Sequence, residues 1–212
     1  MTDSREDPHV EDVSVRRATF TRLRVRDVRV RAADLSGVRV RGAELVDVEI
    51  SGELRNVVVN GVDIAPLVEA ELNRRMPERA RMRPDDPGGF GEAWAILDRL
   101  WARTLARAAT FPEAALHRGV DGEWSFVQTL RHLARPPLAE VLAVRRDRRA
   151  MVGRVVASLT PELLASHVTR DEPGWPRLAG FPLKECLHIV LHEEWEHRLY
   201  AERDLNALKK ED

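Results

Sequence analysis

Apolar and polar positions in the first third of the chain repeat every five residues. From Ala18 the sequence divides into ATFTR, LRVRD, VRVRA, ADLSG, VRVRG, AELVD and VEISG, and the first and third positions are apolar in each unit. Alternation with a period of two in VRVRDVRVRA predicts a strand locally, but it does not explain the reset at every fifth residue. The pattern therefore predicts a repetitive architecture rather than a single strand.

After residue 89 the apolar spacing becomes helical. One helix is expected from about Phe90 to Ala109, and a second begins at GEWSFVQTLRHLA, where Ser125 and Gln128 have the spacing of a capping box. Pro136-Pro137 ends the second helix and starts a third, which runs to about Leu159. The last helix is expected over residues 181–208. Four helices with short connections indicate a bundle.

These changes of pattern divide the chain into four parts. We expect a flexible tail over residues 1–15, a repeat region over 16–65, a capping helix and linker over 66–89, and a helical domain over 90–212. Pro66 suits the first turn of the capping helix. The fold class is therefore α+β in two parts.

Composition excludes several classes of protein. No apolar run is long enough for a transmembrane helix, and the first residues, MTDSREDPHVEDV, lack the apolar core of a signal peptide. The single Cys186 excludes an intrachain disulfide and a cysteine-based zinc cluster, which favours a reducing cytoplasm. The net charge of −1 argues against a dedicated nucleic-acid binder, although residues 16–41 are locally basic.

Charged side chains occupy the apolar stripe of the last helix. At about 100° per residue, Glu194 falls at the centre of the stripe, His197 beside it and Glu193 at its edge. Buried groups of this kind are ion-paired or bind a metal, so a structural Glu–Arg or Glu–His pair is one interpretation and a metal site is the other. His188 and His192 have the i,i+4 spacing of a ligand pair but fall on the opposite face, where contact with another surface is expected.

Two resemblances extend this interpretation. The five-residue units over residues 18–64 resemble the pentapeptide-repeat family, which implies a short right-handed quadrilateral β-helix. Residues twenty apart would then stack, so that Arg24 lies over Glu44 and Arg29 over Glu49. Acidic members of that family mimic DNA, and this chain has the wrong charge for that role.

The second half resembles the DinB-like superfamily of four-helix proteins. The segments that carry this resemblance are GEWSFVQTLRHL and HEEWEHRLYAERDL. Family members bind a divalent metal, commonly zinc or nickel, and some are thiol-dependent transferases. Carried over by position, the ligands are His132, Glu193 and His197, with Glu194, His192 and His188 as second choices. In relatives the second helix continues beyond its histidine, whereas here Arg135-Pro136-Pro137 follow soon after it.

The resemblance implies a metal-dependent enzyme in which the ion activates a thiol or a water, as a thiol transferase or a hydrolase. A low-molecular-weight thiol and a small-molecule substrate would be its partners, and no catalytic side chain is identified beyond the metal ligands. The alternative is a binding or scaffold protein with a structural or vestigial metal, with a homodimer as a candidate assembly. A nucleic-acid partner for the arginine-rich repeats is a weaker alternative, and no membrane partner is expected.

Overall fold

The computed structural model describes residues 12–30, 33–120, 123–130, 137–168 and 180–211. The chain forms two compact units, Met1–Gly52 and Glu53–Asp212, which are called the repeat unit and the helical unit below. His132 and most of the expected N-terminal tail lie outside the described residues. The predicted domain boundaries at residues 65 and 89 stay predictions.

The repeat unit has a five-residue period in its backbone. A residue with positive φ returns every five positions along the described residues, and these residues are Asp12, Arg17, Arg22, Asp27, Gly37, Gly42, Asp47 and Gly52. Left-handed conformations bend the chain and favour Gly, Asn and Asp, and Gly or Asp stands at six of these eight positions. The periodicity in the sequence therefore corresponds to regularly spaced bends.

The predicted β-helix is nevertheless wrong. The described residues of the repeat unit contain no assigned strand, and their large apolar side chains are 57–71% exposed rather than buried inside a coil. No ion pair joins Arg24 to Glu44 or Arg29 to Glu49, although all four are described. A β-helix needs hydrogen bonds between successive coils, whereas the one backbone–backbone bond among these residues is local, from Val38 N–H to the Leu35 carbonyl at 3.2 Å.

A short hairpin opens the helical unit. Strands β1 (Val58–Val59) and β2 (Val62–Asp63) pair antiparallel across Asn60 and Gly61, which both have positive φ, as a tight two-residue hairpin turn requires. Helix α1 (Ala65–Arg75) follows, with Pro66 in its first turn, and then a 3₁₀ helix (Pro77–Met82).

Two long helices dominate the rest of the unit. They are α2 (Pro87–Ala108) and α7 (Leu183–Glu211). Between them lie α3 (Glu113–Leu116), α4 (Phe126–Leu130), α5 (Leu138–Ala157), α6 (Pro161–Leu164) and the strand pair β3 (His167–Val168) with β4 (Phe181–Pro182). The predicted capping box is confirmed, because Ser125 N–H donates to Gln128 Oε1 at 2.8 Å and Gln128 N–H donates to Ser125 Oγ at 3.2 Å.

Helices α2, α4, α5 and α7 pack against one another around two apolar clusters. The first is centred on Phe90, Leu97 and Leu191, and the second on Trp101, Phe126 and Leu205. Each of these six side chains is at most 1% exposed, so α7 is anchored in the core at both ends. Within the described ranges, none of the helices combines the length and apolar character needed to cross a bilayer.

Candidate functional site

Helix α7 is packed on more than one face midway along its length. Trp195, which lies on the face expected to point outward, is 2% exposed and belongs to the first apolar cluster. On another face, the Trp101 indole N–H donates to the backbone carbonyl of Glu194 at 3.1 Å. The expectation of a single buried stripe is therefore wrong here, because α2, α4, α6 and the 3₁₀ helix all contact α7.

Glu194 is held by two arginines of α5. Its Oε2 accepts hydrogen bonds from Arg145 Nη2 at 2.5 Å and from Arg149 Nη1 at 2.7 Å. The side chains of the three residues are 12–19% exposed, so water screens these ion pairs only partly. Arg149 also donates to Asp98 on α2. The structural Glu–Arg pair that the sequence left open is thus observed.

The same arginines stack on tryptophans of α2. Arg145 lies 3.9 Å from the ring centre of Trp101, and Arg149 lies 4.7 Å from that of Trp94, both within cation–π range. Burial lowers the pKa of Arg145 and the negative charge of Glu194 opposes that shift. Sequence reasoning missed these partners, although the i,i+4 spacing of Arg145 and Arg149 on one helix face was a usable signal.

Glu193 and His197 lie one turn apart on α7. His197 Nε2 is 3.8 Å from Glu193 Oε2, and their side chains are 18% and 59% exposed. Nitrogen and oxygen ligands bind zinc at about 2.1 Å, so two ligand atoms of one ion are separated by at most about 4.2 Å. The observed separation fits two ligands of one ion, and the exposed carboxylate leaves access from solvent.

The third expected ligand cannot be placed. His132 follows α4 by two residues and lies outside the described residues, whereas α4 itself packs against α7. Across the part of the chain that the structure describes, no three His, Cys, Asp or Glu side chains are close enough to hold a metal ion. Glu193 and His197 are therefore two of the three expected ligands.

The second-choice histidines have different surroundings. His188 stacks on Phe90, with ring centres 5.2 Å apart, and its Nε2 lies 2.7 Å from the Pro84 carbonyl oxygen. It therefore packs against α2 and the segment before it, which is the other surface that this face contacts. His192 is exposed. Neither observation tests metal binding.

Two further charged groups of α7 are held within the helical unit. Glu202 accepts hydrogen bonds from Thr104 Oγ1 at 2.5 Å and from Arg107 Nη1 at 2.7 Å, which ties α7 to the end of α2. Asp204 is fully buried and accepts from Arg203 at 2.7 Å. The sequence reasoning named neither, although both acids are close to the apolar positions Ala201 and Leu205.

Cys186 is buried near the start of α7. Burial raises the pKa of its thiol, which keeps the sulfur protonated near neutral pH. It belongs to the buried packing residues of the helix.

Comparison with known families supports one of the two resemblances. The DinB superfamily model matches residues 134–201. The matched segment is about a third of the chain and covers α5, α6 and most of α7, including Glu193, Glu194 and His197. It begins two residues after His132, so it contains two of the three expected ligands. No curated protein and no solved structure gives a significant match.

Proposed function

We propose that the helical unit is a DinB-like domain that binds one divalent metal, zinc or nickel, through His132, Glu193 and His197. The observation that carries the proposal is the Glu193–His197 pair, which lies 3.8 Å apart within the family-matched segment. Glu194 is the weaker candidate, because its Oε2 already accepts hydrogen bonds from two arginines. A bound metal would supply a Lewis acid that deprotonates a thiol or a water near neutral pH.

The residues around the pair would orient it. Arg145 and Arg149 hold Glu194 and so restrict rotation of α7 about its axis. Trp101 fixes the backbone at the same level through the Glu194 carbonyl. Glu193 and His197 then keep a constant direction relative to α5, as a metal site requires of its ligands. The exposed side of Glu193 is the side from which a small thiol and its substrate would approach.

The alternative is a scaffold protein with a structural or vestigial metal. The observation in its favour is the sequence Arg135-Pro136-Pro137, which follows closely after His132 and leaves little second helix beyond the ligand.

Binding of nucleic acid by the arginine-rich repeats is a weaker alternative than the scaffold, given the net charge of −1. A cytoplasmic location stays a prediction.

Metal content tests the proposed ligands. The full chain, purified without a polyhistidine tag or chelator, should contain about one metal ion, measured by mass spectrometry. His132→Ala, Glu193→Gln and His197→Ala should each lose most of it. Glu185→Gln and Asn206→Ala alter exposed residues of the same helix that are not candidate ligands, and they should keep it. A wild-type protein without metal, or equal loss in the two control variants, would refute the site.

Cobalt substitution distinguishes the enzyme hypothesis from the scaffold hypothesis. A catalytic site keeps an open position, so adding a small thiol to the cobalt-loaded protein should produce a thiolate-to-metal charge-transfer band. That band should be absent from His197→Ala and unchanged in Glu185→Gln. A loaded protein in which no thiol produces the band has a closed site, and the scaffold alternative then stands.

A further inference from the structure

The apolar side chains of the repeat unit have no protein surface to cover them within the chain as described. Fourteen Val, Leu, Ile and Phe side chains between Val13 and Ile50 are 57–71% exposed. Apolar surface that is exposed over such a length marks an interaction site. The described backbone of the unit contains no strand and one backbone–backbone hydrogen bond, which leaves N–H and C=O groups for pairing with another chain.

Charge is distributed unevenly along the same unit. Residues 16–30 contain six arginines and one acid, Asp27, whereas residues 43–53 contain four acids and no base. One arm is therefore basic and the other acidic, with the Ser36–Gly37 turn midway between them. A surface with this distribution is complementary to a second copy of itself in the opposite direction.

An antiparallel two-fold arrangement opposes each residue n to residue 73 − n of the other copy. In this register four pairs of large apolar residues face each other, and they are Leu23 with Ile50, Val25 with Val48, Val28 with Leu45 and Leu35 with Val38, whereas Phe20 faces Glu53 and Val46 faces Asp27. Arginines face acids, and these pairs are Arg24 with Glu49, Arg26 with Asp47, Arg29 with Glu44 and Asp34 with Arg39. No like charges are opposed anywhere between residues 16 and 57.

Registers shifted by a full five-residue period lack this property. A shift by one five-residue period in one direction opposes Arg29 to Arg39, and the same shift in the other direction opposes Asp34 to Glu44. Like charges that face each other directly are destabilising, so charge disfavours shifts by a full period. A shift by two residues opposes no like charges and keeps four attractive pairs, so charge alone leaves that register open.

We infer that the repeat unit is a self-association surface whose occupant is the repeat unit of a second copy, in the antiparallel register defined above. The interface is isologous, so each of the four charged pairs forms twice. The same register would let the two arms of one chain fold together about the turn. In the described structure, however, the arms share no ion pair and their apolar side chains are exposed.

Charge reversal of each arm tests the register. Analytical ultracentrifugation of the full chain at micromolar concentration should give twice the 24.1 kDa chain mass, and high salt should weaken the dimer. The triple variant Arg24→Glu, Arg26→Glu, Arg29→Glu makes both arms acidic and should be monomeric. Glu44→Arg, Asp47→Arg, Glu49→Arg makes both arms basic and should also be monomeric. An equimolar mixture of the two variants should form a heterodimer.

A matched control separates the effect of the position of the charges from the effect of the net charge. Arg16→Glu, Arg17→Glu, Arg22→Glu changes the charge by the same amount at positions opposed to uncharged residues, and it should stay dimeric. Far-UV circular dichroism checks that the helical unit of each variant is folded. A monomeric wild type, a mixture that stays monomeric, or a control that dissociates like the other triple variants would each overturn the inference.

Discussion

The repeat unit and the helical unit treat regularly spaced apolar side chains in opposite ways. In the repeat unit they are more than half exposed, whereas those that form the clusters of the helical unit are almost wholly buried. Both units have local conformations that match their sequence period, bends in one and helices in the other. A period therefore determines local backbone shape, but burial also requires a second element at the right distance.

The largest difference between the units should appear in the free energy of unfolding when one phenylalanine of each unit is replaced by alanine. Phe126 is fully buried and Phe20 is 65% exposed. Phe126→Ala should lower the free energy of unfolding by about 3–5 kcal/mol, because it leaves a cavity. Phe20→Ala should change it by less than about 0.5 kcal/mol. Urea unfolding followed by circular dichroism measures both values, and equal effects would remove the contrast between the units.

A second contrast lies between adjacent glutamates of α7. Glu194→Ala leaves Arg145 and Arg149 without their shared carboxylate, which should cost about 3 kcal/mol of unfolding free energy. Glu193→Ala should cost less than about 1 kcal/mol, because its side chain is 59% exposed. Unfolding should be measured with chelator present, so that metal binding does not contribute. A larger loss from Glu193→Ala would indicate that α7 is held differently.

The smallest contrast concerns two local side-chain caps. Ser125→Ala removes a reciprocal capping box at the start of α4 and should cost about 1 kcal/mol. Asp34→Ala removes a similar local bond, in which Ser36 N–H donates to Asp34 Oδ1 at 2.9 Å, from the exposed repeat unit. It should leave the unfolding of the helical unit unchanged. Thermal denaturation of the two variants compares them, and a shift from Asp34→Ala would show that the units unfold together.

Features set by neighbouring residues could be predicted from the sequence. The capping box at Ser125 and the start of α5 after Pro137 both depend on side chains within four positions. The prediction of a β-helix was wrong because it required contacts between residues twenty apart, which a five-residue period suggests but does not provide. The arginine partners of Glu194 could not be predicted for a related reason, because no pattern within α7 indicates which side chains of α5 lie opposite it.

The buried, protonated Cys186 has a practical consequence for studying the assembly of this chain. Because it is the one cysteine and its thiol reacts slowly, a cysteine introduced on the exposed repeat unit would be labelled first. Spin or fluorescent labels at positions 25 and 48 can then be attached without replacing any core residue. Distances between labels on two chains would measure alignment directly, with the native interior left intact.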